Sequence, residues 1–256
     1  MKEKILFEVC CGCTEDAVMA EKGGADRIEL NSALFLGGLT PSIGTVEAVK
    51  AQISIPVMCM VRPREGGFCY TSYDYETMCR DAVAMIRAGA DGIVFGFLCE
   101  DGTVDRARTA DFLRVLRAEK ADIVTVFHRA IDVVPDVFEA LDVLIELGVD
   151  RVLTSGQRAS AVKGAETIRK MLDYANGRID ILPGAGINDG NVRAFIEETG
   201  VKSVHASARS VRYDKSVNGN DEIFFGGLID GKGVPEDEYK VTDPVRVNAV
   251  LTAIGE

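Results

Sequence analysis

The residues in this chain that could do chemistry stand at the ends of short apolar runs. Glu8 and Cys10 alternate through "ILFEVCC", and Glu29 and Asn31 through "RIELN"; Arg62 and Arg64 follow "PVMCMV". His128, Arg129 and Asp132 follow "IVTVF", Ser155 follows "RVLT", and Gly184 and Gly186 follow "DILP". His205, Ser207 and Arg209 come from "SVHASAR". Two carboxylates brought together in a low dielectric push one proton affinity up, which is the usual setting of an acid/base pair. The same two, Glu8 and Glu29, neutralised by Arg27, Arg62 or Arg64 would be a structural ion-pair network, and both readings stand. His128 and His205 are the only two histidines; near Arg129 and Asp132, His128 reads either as a proton-transfer group or as a hydrogen-bonded core residue. Glycines at 184 and 186, with Ser155, Ser207 and Arg209, could bring backbone and a cation to an anion; an ordinary tight turn is the alternative. The thiols of Cys10, Cys11 and Cys13 read as a metal site, a redox site or small core residues. No H-E-x-x-H, G-x-S-x-G or Walker pattern is present.

A repeat shows what must position these residues. "GADRIEL", "GADGIVF", "GVDRVLT" and "GVKSVHA" begin at Gly24, Gly89, Gly148 and Gly200, spaced 65, 59 and 52 residues apart. Each is a helix-ending glycine, a polar turn and a β-branched strand. Four further runs, "KILFEVC", "IPVMCMV", "DIVTVFH" and "RIDILPG", lie between them, and segments with three- and four-residue apolar spacing fill the gaps. Eight strands alternating with about eight helices over 256 residues predict a single-domain (β/α)8 TIM barrel. Thr14 is the expected cap of the first helix, and Asn188 or Asp189 that of the seventh. One irregular stretch, 207–240, precedes the last helix.

In such a barrel the site forms at the carboxyl ends of the strands, and the loops after strands seven and eight often hold phosphate. Strand parity then aims the side chains. Arg27, Glu29 and Asn31 share a face opposite Ile28 and Leu30, so they are expected to point inward, as are Glu8 and Cys10 opposite Phe7 and Val9.

A net charge of −11 argues against nonspecific nucleic-acid binding and against an anionic membrane face. No run reaches the ~18 apolar residues of a membrane helix, and the opening "MKEKILFEV" is broken by Glu8, too early for a signal peptide. The expected location is the cytoplasm. All seven cysteines lie within the first 99 residues, an odd number in which only Cys10 and Cys13 have C-x-x-C spacing, so reduced thiols are expected rather than a disulfide framework.

Taken together, "FEVCCGCTEDAVMAEKGGADRIEL", "GGLTPSIG", "IPVMCMVRPREGGFCY", "FHRAIDVV", "RVLTSGQ" and "GAGI" resemble the CutC family over nearly the whole chain. The resemblance implies a homodimeric (β/α)8 barrel with a role in cytosolic copper homeostasis. It also implies Cu(I) on two cysteines at the ends of strands one and two. The first maps to Cys10; the second maps to Asn31, whose amide is a poor ligand for a soft ion. Cys13, at the start of helix one, is the expected replacement. Met58 and Met60, on one face of strand three, read as a second source of soft donors or as core. Two functions follow. One is copper binding through Cys10 with Cys13 or a methionine. The other is a metal-independent enzyme acting on a small sugar-phosphate-like or carboxylated anion. Its catalytic set would be Glu8, Glu29, Arg62, His128 and Asp132, and its anion set Ser155, Gly184, Gly186, Ser207 and Arg209. A third reading is a binding module that recruits a partner through a dimer face or the 207–240 stretch. Whether the chain is an enzyme stays open at the level of sequence.

Overall fold

The repeated glycine fixes where every second strand begins. Gly24, Gly89, Gly148 and Gly200 all take left-handed backbone, with φ of 97°, 100°, 71° and 76°. A Cβ makes that conformation costly, and each lies at a helix end. The next strand starts three residues later in all four copies. The computed structural model describes residues 4–217, 219–220, 228–229, 232–233 and 237–255.

Its barrel strands are β1 (Leu6–Cys11), β2 (Arg27–Leu30), β3 (Val57–Met60), β4 (Gly92–Phe95), β5 (Val124–Phe127), β6 (Arg151–Thr154), β7 (Asp180–Pro183) and β8 (Ser203–Ala206). The helices are α1 (Thr14–Gly23), α2 (Ile43–Lys50), α3 (Ser72–Arg87), α4 (Arg106–Glu119), α5 (Val137–Leu147), α6 (Ala165–Ala175), α7 (Val192–Thr199) and α8 (Pro244–Gly255). All eight strands are parallel, in the order β7-β6-β5-β4-β3-β2-β1-β8, and β7 and β8 pack together at the seam. This is the single TIM barrel that the alternation predicts. No helix among the described residues is long and apolar enough to cross a membrane.

The outward strand faces, including Phe7, Val9, Cys11, Ile28 and Leu30, pack on the helices as one apolar layer. The barrel interior divides in two. Met58, Met60, Val94, Val126, Leu153 and Leu182 from β3 to β7 form a dry cluster. The inward residues of β1, β2 and β8 are instead polar and buried: Glu8, Arg27, Glu29, Ser203 and His205. Parity thus aims these residues as expected. Met58 is core, its sulfur filling the space that a Cβ on Gly92 would occupy.

The aspartates of the repeat tie successive strands. Asp26, Asp91 and Asp150 accept a backbone N–H at the start of the preceding odd strand, from Phe7, Val57 and Thr125, at 2.8–2.9 Å. Asp150 also takes the Thr125 hydroxyl at 2.6 Å. Its loss leaves a buried donor pair unmet, so Asp150→Ala is expected to lower stability by roughly 1–3 kcal/mol. A denaturant midpoint equal to that of the parent chain would remove this role.

Three local expectations are corrected. Cys13, not Thr14, caps α1: its backbone is extended and its sulfur accepts the Asp16 N–H at 3.5 Å. Asn191 precedes α7 and makes no side-chain cap. Asn188 and Asn191 instead close the turn before it, Asn191 Oδ1 accepting from Asn188 N at 3.0 Å and Asn188 Oδ1 from Gly190 N at 2.9 Å. The 207–240 stretch is not irregular at its ends, because β9 (Arg209–Tyr213) and β12 (Glu238–Thr242) pair as an antiparallel ribbon. Between them, β10 (Leu228–Ile229) pairs with β11 (Lys232–Gly233); positions 218, 221–227, 230–231 and 234–236 lie outside the described residues.

Candidate functional site

Strand register assembles the site. Cys10 lies beside Glu29 across β1 and β2, and Glu8 lies beside Arg27 on one side and His205 on the other. Alternation points all five side chains into the barrel at its polar third. Arg27 Nε donates to Glu8 Oε2, and His205 Nδ1 lies 2.8 Å from Glu8 Oε1. The other ring nitrogen of His205, Nε2, is 3.9 Å from Glu29 Oε2. The ligand atoms of Cys10, Glu29 and His205 all fall within 4.8 Å of one another, and among the described residues they form the only cluster of this kind.

The charges are set by this packing. Burial works to raise the Glu8 carboxyl, but the Arg27 guanidinium and the His205 hydrogen bond outweigh it and bring the group to about 2. Burial raises Glu29 against the pull of His205, with the Glu8 charge adding to the rise. Burial also opposes the charge on His205, yet Glu29, Cys10 and Glu8 hold the imidazolium well above its ordinary range. The Cys10 thiol is pushed up by burial, and the adjacent His205 pulls the other way. Two carboxylates of the same type are therefore driven apart, Glu8 downward and Glu29 upward.

Asn31 stands where the resemblance places a second cysteine. Its Nδ2 donates to Glu29 Oε2 at 2.8 Å and lies 3.6 Å from Cys10 Sγ. An amide N–H is a donor and not a ligand, so Asn31 orients the two neighbours instead of joining them. Cys13 is turned away as the α1 cap, and Cys11 faces the helices. The three clustered cysteines thus have three separate environments, and only Cys10 opens on the mouth.

The mouth is a cavity of about 560 Å³. Of the residues singled out from sequence, Cys10, Glu29, Arg62, His128, Asp132, Gly186, Ser207 and Arg209 line it. Glu8 lies beneath, as described. Asp132 is occupied: its carboxylate accepts from Thr154 Oγ1 at 2.6 Å, from Ser155 N at 3.0 Å and from Arg129 Nε at 2.8 Å. The buried Ser155 hydroxyl completes that knot, 2.8 Å from Asp132 Oδ2, so both order the loop after β6. Gly184 serves packing, since a Cβ there would come within 2.8 Å of Leu153 and 3.2 Å of His205 Cδ2. His205, which the sequence places at the end of strand eight, belongs to the central cluster although the expected catalytic, anion and metal sets left it out. Its signal was available: Ser203 and His205 alternate with Val204 and Ala206, the inward pattern of β1 and β2.

His128 is 3% exposed and neutral, held down to about 3 by burial and then by the Arg62 charge. An unfolded chain takes up this proton below the ordinary 6.5, and the folded one only near 3. The fold therefore loses stability as pH falls from 6.5 toward 3, by up to roughly 4 kcal/mol from this group. His128→Gln is expected to flatten that acid limb. Parallel pH profiles for the two proteins would contradict the assignment.

The CutC family model matches residues 5–210. A CutC family protein of Treponema denticola is 50% identical over 252 residues, covering 98% of this chain and 100% of that one. The human copper homeostasis protein cutC homolog is 41% identical, covering 98% of this chain and 89% of its own. Among solved structures, a Streptococcus agalactiae chain provisionally assigned as copper homeostasis protein CutC superposes with a TM-score of 0.73 at 30% identity. That match covers 79% of this chain and 98% of that one.

Proposed function

The chain belongs to the CutC family, and from that premise we propose that its barrel mouth binds Cu(I), with Cys10 and His205 as donors and Glu29 beside them. The observation that carries this reading is the convergence of the three ligand atoms within 4.8 Å. Relatives named for copper homeostasis support a family-level role in copper handling. The donor chemistry fits in part: thiolate and imidazole both suit copper, whereas a carboxylate is a hard donor better at supplying charge than a bond. His205 is oriented as metal-ligating histidines commonly are, its Nδ1 facing the Glu8 carboxylate and leaving Nε2 for an ion. Uptake displaces the protons of Cys10 and His205, so binding tightens as pH rises. The test is a titration of the full chain with Cu(I) against a strong chelator under reducing conditions. One ion retained per chain is expected; transfer of all the copper to the chelator would overturn the reading.

A second reading is acid/base catalysis without a metal. What favours it is His205 placed between Glu8 and Glu29, two carboxyls whose proton affinities are driven apart, the pattern that assigns acid and base roles. In this reading Glu29 is the proton-transfer group, and any turnover found should fall about 10²–10⁴-fold in Glu29→Gln. Unchanged turnover removes Glu29 from the chemistry.

A further inference from the structure

An ion needs little of a cavity of about 560 Å³, which is a volume typical of small-molecule sites. The wall formed by the ends of β3 and β5 carries an unusual deficit. Arg62 is 7% exposed. Its Nη1 donates to the carbonyls of Leu36 at 3.0 Å and Gly38 at 3.1 Å, and its Nη2 to that of Gly66 at 3.0 Å. All three acceptors are neutral, and among the described residues no carboxylate forms an ion pair with it. Its Nε–H has no acceptor. A buried guanidinium without a counter-charge is expensive, which is why buried charges are normally paired.

His128 repeats the pattern on the same wall. Its Nδ1 accepts the Ala130 N–H at 3.2 Å, so the ring proton sits on Nε2, which also has no acceptor. The two side chains meet across one aromatic ring: Arg62 stands over Phe68 at 5.4 Å, and the His128 ring lies 4.9 Å from it. Arg62, Phe68 and His128 all line the cavity.

We propose that this wall is the seat of a small organic oxyanion, whose carboxylate or phosphate oxygens accept from Arg62 Nε and His128 Nε2 while its carbon skeleton lies on Phe68. Charge-assisted bonds of this kind are the strong ones, and together they supply both missing acceptors and the missing counter-charge. Neither nitrogen touches solvent, so the proposal requires both side chains to turn toward the cavity they line when the ligand seats. Arg209 stands elsewhere on the rim with its Nε likewise unpartnered, a second cation for the far end of a longer molecule. The proposal uses no metal donor, so it is independent of the copper reading. It gives the acid/base reading its ligand class and rests on a binding measurement, which does not depend on turnover.

With two histidines in the chain, the metal-free protein labelled with ¹⁵N-histidine has two imidazoles to follow, and a His128→Phe sample assigns them. Inorganic phosphate and malonate are added in separate titrations. We expect saturable movement of the His128 Nε2 resonance in at least one of them, the arm identifying phosphate or carboxylate as the preferred group. The same movement is expected in Cys10→Ser, which lacks the copper thiol. By calorimetry His128→Phe should bind the responding anion about tenfold more weakly. Two titrations that leave the His128 resonances in place, or that move only those of His205, overturn the proposal.

Discussion

Glu8→Ala is expected to cost the fold roughly 3–5 kcal/mol, the effect of stripping one partner from a buried ion pair. Glu8 is 2% exposed and its carboxylate takes both Arg27 and His205. Its removal strands the Arg27 charge inside the barrel, where Arg27 Nη2 already lacks an acceptor. Most of the loss comes from the uncompensated partner, so Glu8→Leu combined with Arg27→Met should recover much of it. The sign with pH follows from the depressed carboxyl. Its folded value of about 2 lies below the ordinary 4.5, so the stabilisation is complete above 4.5 and is lost as pH falls toward 2. The doubly substituted protein should lack that acid limb. Equal chemical stability of Glu8→Ala and the parent chain would show that Glu8 is not the electrostatic keystone of the polar third.

The second large effect separates the clustered thiols. Cys10→Ser should weaken Cu(I) binding by more than the roughly 10–100-fold typical of losing an outer-shell partner, and His205→Ala should do the same. Cys13→Ser should leave affinity unchanged, because Cys13 Sγ caps α1 and is not one of the converging ligand atoms. Asn31→Cys should tighten binding, since its side chain already reaches to 3.6 Å from Cys10 Sγ and would exchange an amide donor for a soft ligand. Equal losses in Cys10→Ser and Cys13→Ser would favour the ligand pair expected from sequence over the proposed Cys10 and His205.

These outcomes bear on how far the residues alone could be read. The barrel was legible because the repeated glycines require left-handed backbone and because the strands alternate cleanly, as in Arg27, Ile28, Glu29 and Leu30. Glu8, Cys10, Glu29 and Asn31 were aimed correctly for the same reason. What parity cannot supply is reach between distant strands. His205 joins Glu8 across 197 residues through the closing β1–β8 register. Local spacing made Cys13 look close to Cys10, whereas the start of α1 turned its sulfur to a backbone amide. Asp132 and Ser155 illustrate a further limit. Both have the residue types of a site, yet the loop after β6 consumes their hydrogen-bonding capacity.

The most direct test of the copper reading is X-ray absorption at the copper edge of the Cu(I)-loaded full chain, which counts donors by element. We expect one sulfur, from Cys10, together with nitrogen from His205 whose imidazole scattering disappears in His205→Ala. Two sulfur donors, or a copper environment unchanged in His205→Ala, would contradict the account.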